Sequence, residues 1–210
     1  MMRKLLAGTT NLESYLDDVM AHTQTWEDHL STLRIFFGRV KEGNLKLKPS
    51  KTQIGFKKID FLGHQVIEDG RTPNPDNLNK IMEAARPETK KQVMSWLGLL
   101  GFYQVYISQY STIAASLTNL LKKAMPNKVV WEPCHEQSFQ LLKTALLSRP
   151  ILKLPDLKKP FVLRTDASAY AVAGVILQEH DGILFPVCFG SKKLCEREMR
   201  WSISDRECLA

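Results

Sequence analysis

A chain of 210 residues that is 44% hydrophobic can bury a sizeable core in one or two domains. It has no run of about 18 apolar residues, which excludes a membrane-spanning helix, and the apolar part of "MMRKLLAGTT" is too short for a signal peptide. The net charge of +7 resides in one segment: Arg34, Arg39, Lys41, Lys46, Lys48, Lys51, Lys57 and Lys58 face Glu42 alone, and the rest of the chain is neutral.

The first element is "ESYLDDVMAH", Glu13 to His22, which reads as a β-hairpin holding two adjacent aspartates. Aspartate is depleted in strands, and neighbouring carboxylates repel unless a cation lies between them. The pair therefore marks either an ordinary turn or a site for a hard cation such as Mg²⁺. From Thr25 the period becomes helical: Leu30, Leu33, Phe36, Phe37 and Val40 share a face, Thr25 and Asp28 form a capping box, and Gly43-Asn44 ends the helix. "LKLKP" reads as a short strand closed by Pro49. "KIDFLGHQVIEDG" reads as two extended runs around a bend at Gly63, ending in the Asp69-Gly70 turn.

Beyond Pro73 and Pro75 the pattern stays helical for about 75 residues. Leu78, Ile81, Met82 and Ala85 line one helix, stopped by Pro87. A second is capped by Thr89 with Gln92 and carries Val93, Trp96, Leu97 and Leu100. Ile113, Leu117, Leu120 and Leu121 define a third, and Phe139 to Leu147 a fourth. After Pro155 and Pro160 three strands follow: "FVLRTDAS", "AVAGVILQ" and "ILFPVCFG". The last two are joined at His180-Asp181-Gly182. A final helix starts near Ser202 or Ser204, where Ser204 to Glu207 has the form of a capping box. The fold class is α+β.

Three sets of residues carry chemistry. Asp17 and Asp18 at the hairpin bend suit two-metal phosphoryl transfer, provided another strand adds a third acid, because consecutive strand side chains point to opposite faces. Asp166 at a strand end and Glu207 on the last helix suit Mg²⁺-dependent phosphodiester hydrolysis; otherwise Asp166 caps a turn with Ser168 and Glu207 completes a capping box. The basic segment suits an anionic polymer, with nucleic acid the natural candidate. Cys134, Cys188, Cys195 and Cys208 lie far apart without C-x-x-C spacing, and the five histidines form no H-x₃-H pair. This argues against zinc and against a disulfide framework, and for a reducing intracellular compartment.

Quoted in order, "YLDD", "TWEDHLSTLRIFF", "NLKLKPSKTQIGFKKIDFLGHQV", "SWLGLLGFYQVYISQYSTIAASLTNLLKK", "FVLRTDAS", "FGSKKL" and "DRECLA" resemble the polymerase polyprotein of gypsy-type LTR retrotransposons, from late palm into ribonuclease H. The resemblance covers essentially the whole chain. It implies the end of a reverse-transcriptase palm over 1–72, a helical thumb and connection over 73–130, and the start of a ribonuclease H-like domain over 131–210.

By the same resemblance Asp17 is the principal metal ligand and Asp18 its weaker partner, for Mg²⁺ or Mn²⁺. Tyr15 and Leu16 line the nucleotide pocket and primer end. Lys51 matches the lysine that protonates departing pyrophosphate, although an exposed phosphate-contacting lysine would look the same. Phe61, Leu62, Gly63 and His64 match the primer grip, and Asp166 and Glu207 the first two ribonuclease H carboxylates. The implied partners are an RNA template, a DNA primer, RNA–DNA hybrid, dNTPs and the rest of the polyprotein, with no membrane, in a cytoplasmic virus-like particle or the nucleus. The fingers and first polymerase aspartate are expected upstream of Met1 and the later ribonuclease H acids beyond Ala210, leaving both sites incomplete within these residues. The competing expectation is a catalytically dead, nucleic-acid-binding remnant. The aromatic stripe from Trp96 to Tyr110 is expected to be thumb core.

Overall fold

The structure, a computed structural model, describes residues 2–148 and 150–210, residue 3 by its backbone alone. It has the expected α+β composition and divides into two compact units, Met1–Phe61 and Leu62–Ala210.

The first unit begins with helix α1 (Met2–Leu5) and the antiparallel pair β1 (Leu12–Tyr15) and β2 (Asp18–Ala21), registered from Leu12 opposite Ala21 to Tyr15 opposite Asp18. Helix α2 (Trp26–Glu42) starts where the sequence places it: the Asp28 N–H donates to Thr25 Oγ1 at 3.1 Å. Glu27 and Asp28 lie at its positive end and Arg39 and Lys41 at its negative end, each favourable to the helix dipole. Gly43 closes it with its N–H on Arg39 O at 2.9 Å, while Asn44 takes the left-handed turn (φ 51°). Leu6, Leu12, Phe36 and Val40 form a small core, with Leu45 packed against it.

"LKLKP" is not a strand. Residues 45–48 run as irregular chain into a 3₁₀ turn at Pro49–Lys51. Its alternating pattern is right for a strand, but Lys46, Leu47 and Lys48 are exposed and among the described residues no neighbour supplies a ladder. β3 (Ile59–Phe61) ends this unit.

The second unit opens with β4 (His64–Ile67) and β5 (Gly70–Pro73), antiparallel with His64 opposite Pro73. β5 is hidden in the sequence because its Pro73 looks like punctuation. Proline is tolerated here at the strand's end, and Arg71 exchanges both backbone hydrogen bonds with Leu152, at 2.8 and 2.9 Å. Gly70 permits that approach, since a Cβ there would collide with the Leu152 carbonyl.

Helix α3 (Pro75–Glu83) is capped by Asn74 Oδ1, which accepts from Asp76 N at 2.9 Å and Asn77 N at 3.3 Å. Helix α4 (Lys90–Phe102) starts in the expected Thr89/Gln92 capping box, and Val93, Trp96, Leu97 and Leu100 are all buried. The third expected helix is instead two: α5 (Tyr110–Ile113) and α6 (Ala115–Asn119). The strand that later packs beside the break takes up its polar groups. Ser111 N donates to Ser191 Oγ at 2.9 Å, and Lys193 Nζ donates to Ala115 O, Thr118 Oγ1 and Asn119 Oδ1.

Helix α7 (Pro133–Leu147) begins well before Phe139, because Pro133 suits the first helical position and Glu132 with His135 forms a capping box. Lys143 on α7 is buried, yet its Nζ donates to Met82 O at 2.9 Å and Ala84 O at 2.7 Å, satisfying the carbonyl end of α3. The core joins α3, α4 and α7 through Leu78, Ile81, Leu100, Tyr103, Phe139 and Leu142.

A three-stranded antiparallel sheet follows: β6 (Phe161–Ala167), β7 (Ala171–His180) and β8 (Ile183–Lys193), in that order. Asp181 (φ 53°) and Gly182 (φ 79°) make the β7–β8 turn. Pro186 is accommodated because β8 is an edge strand and the register slips beside it, between Ile176 and Leu177. Helix α8 (Ile203–Leu209) packs against β6 and β7. Its capping box is Ser202 with Asp205, not Ser204 with Glu207: Asp205 N donates to Ser202 Oγ at 3.2 Å. Val162 and Ile183 are 38% and 59% exposed, but Val172 is only 8% exposed and Val175 is half-buried.

Candidate active site and nucleic-acid interface

The paired aspartates lie at the tip of the first hairpin. Tyr15 and Asp18 are the last opposed residues, and Leu16-Asp17 makes the turn. Leu16 has φ 54° and is 78% exposed. A left-handed leucine costs about 1–2 kcal/mol, and such strain concentrates at functional sites. The turn carries Asp17 and Asp18 into solvent next to exposed Tyr15. Two carboxylates in water are hard oxygen donors that fit Mg²⁺ or Mn²⁺ and suit soft metals poorly.

Among the described residues, no third acid or other ligand joins this pair into a cluster of three. The one such cluster is Glu132, Cys134 and His135. There His135 Nδ1 accepts the Glu132 backbone N–H at 3.0 Å, so the grouping is the start of α7 rather than a ligand set.

Lys51 ends the 3₁₀ turn, exposed, with its N–H on Lys48 O at 3.0 Å. The eight basic residues from Arg34 to Lys58 are all exposed, and among the described residues Arg39 alone of them reaches an acid, Glu42, at 4.0 Å. The segment therefore presents its charge to solvent.

Phe61 closes β3, half-buried. Leu62 (φ 49°) and Gly63 (φ 76°) form the turn before β4. Leu62 is 38% exposed; Gly63 rests against the Phe102 ring, where a Cβ would stand 3.0 and 3.1 Å from two ring carbons. His64 turns inward. Its ring stacks on Phe102 at 5.0 Å and 13°, and Nδ1 is hydrogen-bonded to the Tyr106 hydroxyl at 2.9 Å. Burial, and secondarily the charge of Arg71, holds its pKa below the usual histidine value. Of the stripe from Trp96 to Tyr110, Trp96, Tyr103 and Tyr106 are buried core and Tyr110 is half-buried, while Phe102 is 50% exposed. What the sequence did not reveal is that the Tyr103 hydroxyl reaches the Gly63 carbonyl; a buried tyrosine in place of phenylalanine was the available signal.

Asp166, exposed, is the penultimate residue of β6, opposite Ala173; Glu207, exposed, lies on α8, which packs against β6. Arg206 Nη1 ties the helix to Ser168 O at 2.9 Å, just past Asp166. The local roles that the sequence also allowed these acids belong to other residues. The turn after β6 is built by Ser168, whose Oγ donates to Ala171 O and accepts from Tyr170 N and Ala171 N; the α8 cap uses Asp205. Among the described residues no helix is long and apolar enough to cross a membrane.

Two family models match the chain: "Reverse transcriptase (RNA-dependent DNA polymerase)" over residues 1–66 and "RNase H-like domain found in reverse transcriptase" over 131–210. The Retrovirus-related Pol polyprotein from transposon 297 of Drosophila melanogaster is 35% identical over 93% of the chain, and the Transposon Tf2-3 polyprotein of Schizosaccharomyces pombe 30% over 97%. The chain spans 18% and 15% of those relatives' lengths. A foamy viral protease-reverse transcriptase solved with double-stranded DNA superposes with a TM-score of 0.90 at 23% identity, covering 99% of this chain and 36% of that one. The same kind of enzyme solved with an RNA/DNA hybrid gives 0.88 at 24%, over 99% and 28%. At that identity the likeness establishes the fold.

Proposed function

From the premise that this chain belongs to the reverse transcriptase and RNase H-like region of LTR-retrotransposon Pol polyproteins, we propose that it serves RNA-directed DNA synthesis and hydrolysis of the RNA strand. The proposed division is palm over 1–72, thumb and connection over 73–130, and ribonuclease H-like over 131–210. The observation that carries the reading is the first bend: a strained leucine whose cost brings no packing, presenting two carboxylates to solvent. A binding remnant needs the exposed basic segment but has no use for that bend.

In this reading Asp17, with Asp18 beside it, holds Mg²⁺ or Mn²⁺, and Asp166 and Glu207 do so at the second site. A divalent ion bound there would neutralise phosphate charge and favour the attacking oxygen as its anion. Tyr15 and Leu16, at the strand end and the bend, line the nucleotide and the primer end. Lys51 supplies a proton to the departing pyrophosphate. The Leu62–Gly63 turn supports the primer, with Phe61 and His64 at its edges. The exposed cations from Arg34 to Lys58 neutralise phosphates of the RNA template, DNA primer and their hybrid, and dNTPs are the small substrates.

The test is primer extension on an RNA template by the open reading frame that carries this segment, with Mg²⁺ and then Mn²⁺. Template-dependent addition is expected for the native protein. No addition, together with salt-sensitive duplex binding, would favour the remnant.

A further inference from the structure

Tyr103, at the end of α4, has a fully buried ring, but its hydroxyl is committed to a single task. It donates to Gly63 O at 2.8 Å and accepts from Asn77 Nδ2 at 2.9 Å. Lys80 Nζ lies 3.5 Å from Asn77 Oδ1, on the amide's other side. The Gly63 carbonyl also accepts from Asn74 N at 3.2 Å, so both of its acceptor positions are used. The same turn rests its Gly63 Cα on the Phe102 ring, and the next residue, His64, is fixed by Phe102 and Tyr106. Two consecutive left-handed residues are thus held from below by the end of α4 and the 3₁₀ turn Gln104–Tyr106, while Leu62 stays partly exposed at the tip.

Core packing alone does not account for the hydroxyl. A phenylalanine would fill the same space without burying a polar group, and burial raises the Tyr103 pKa. Among the described residues its hydrogen-bond partners are the turn carbonyl and the asparagine that orients it.

We propose that Tyr103 is a positioning residue for nucleotide addition. By gripping the Gly63 carbonyl it fixes the height of the Leu62–Gly63 turn, and so the placement of the primer's terminal 3′-hydroxyl; Asn77 orients it. This rests on the reading of that turn as the primer support. Alignment is where such a residue acts on rate: a displacement of about 1 Å can cost on the order of a hundredfold. Losing one of two hydrogen bonds to the turn should cost less.

The experiment compares Tyr103→Phe and Asn77→Ala with the native reverse transcriptase that carries this segment. Single-nucleotide addition, duplex affinity, hybrid hydrolysis and melting temperature are measured together. Tyr103→Phe is expected to lower kcat for addition on the order of tenfold. KM for dNTP, duplex Kd and the rate of RNA hydrolysis should stay within about twofold, and Asn77→Ala, which leaves the core intact, should lower kcat in the same direction by less. Unchanged kcat in both variants overturns the inference while leaving the function standing. A fall in all activities that tracks the melting temperature also overturns it, since Tyr103 would then be structural only. Native protein that extends no primer overturns the reading of the turn and this inference with it.

Discussion

The two leucine turns, Leu16-Asp17 and Leu62-Gly63, solve the same backbone problem in opposite ways. Each puts a leucine in the left-handed region, at φ 54° and 49°. In the second, the following residue is a glycine seated on Phe102, its carbonyl is held by Tyr103 and Asn74, and its strand begins with a histidine locked by Tyr106. In the first, among the described residues, no side chain from Tyr15 to Asp18 makes a hydrogen bond, and both aspartates are exposed. One strained turn is secured by the core beneath it. The other leaves its two carboxylates exposed to solvent, the arrangement that the proposed metal site would use. Substitutions at the first should therefore move activity far more than stability, and substitutions at the second should move stability directly.

The largest contrast is expected from Asp17→Ala. If Asp17 is the principal metal ligand, as proposed, its loss forfeits several kcal/mol of transition-state stabilisation, and primer extension should fall on the order of a thousandfold. Asp17 is exposed and outside the small core of its unit, so the melting temperature should rise or stay level as like-charge repulsion with Asp18 is relieved. A large destabilisation, measured by thermal unfolding without metal, would break the comparison.

Next is the exposed basic segment. Replacing Lys48, Lys51, Lys57 and Lys58 together by Ala removes half of the exposed basic segment. If these lysines neutralise phosphates, the slope of log affinity against log salt should flatten by up to about 3–4. Titration of an RNA–DNA duplex between low and moderate salt measures it, and an unchanged slope would place the contacts elsewhere.

Glycine substitutions sharpen the comparison at the level of stability. Gly63 and Gly182 have nearly the same backbone, φ 76° and 79°, but a Cβ on Gly182 meets open space and one on Gly63 meets Phe102. Gly182→Ala should cost about 1 kcal/mol for its left-handed φ, and Gly63→Ala about 2–3 kcal/mol, because ring and turn must also separate. Leu16→Gly, at the unsupported bend, should stabilise by about 0.5–1 kcal/mol, strain relief outweighing the entropy of glycine, while lowering activity. Chemical denaturation measures all three; equal losses at Gly63 and Gly182 would mean that Phe102 is no support.

How legible this was in the sequence follows from the range of each interaction. The caps of α2 and α4 involve residues three apart, and both were readable. The hairpin bearing Asp17 and Asp18 was readable from its own residues too, since its strands are adjacent in the chain. "LKLKP" failed because a period of two shows what a strand would bury, not whether a partner exists. β5 pairs with β4 beside it in the chain and is hidden only by Pro73, whereas its bridge to Leu152 and the split of α5 from α6, which involves Ser191 and Lys193, reach across about 80 residues, beyond any local pattern. The same holds for the site. The resemblance named Gly63 and His64, but only the structure shows His64 facing inward, because its partners Phe102 and Tyr106 are about 40 residues downstream.

His64 yields the smallest expected effect and the most direct check that the second turn is held from inside. Its folded pKa is lowered, first by burial and then by the charge of Arg71. The unfolded chain therefore binds more protons than the folded one between that lowered value and the unperturbed value near 6.5. Stability must rise with pH across this window, and the penalty from protonating His64 grows as pH falls through 6.5 and levels off below the folded pKa. Protonation would place a cation near Arg71 and remove the Nδ1 lone pair that can accept from the Tyr106 hydroxyl. His64→Phe keeps a ring to stack on Phe102 but cannot titrate. The difference in melting temperature between it and the native protein should shift in favour of the variant as pH is lowered from 7.5 to about 5.5, a modest change because His64 is only half-buried. Parallel curves over that range would mean that the imidazole is as well solvated folded as unfolded, and the turn would then lack its inner anchor.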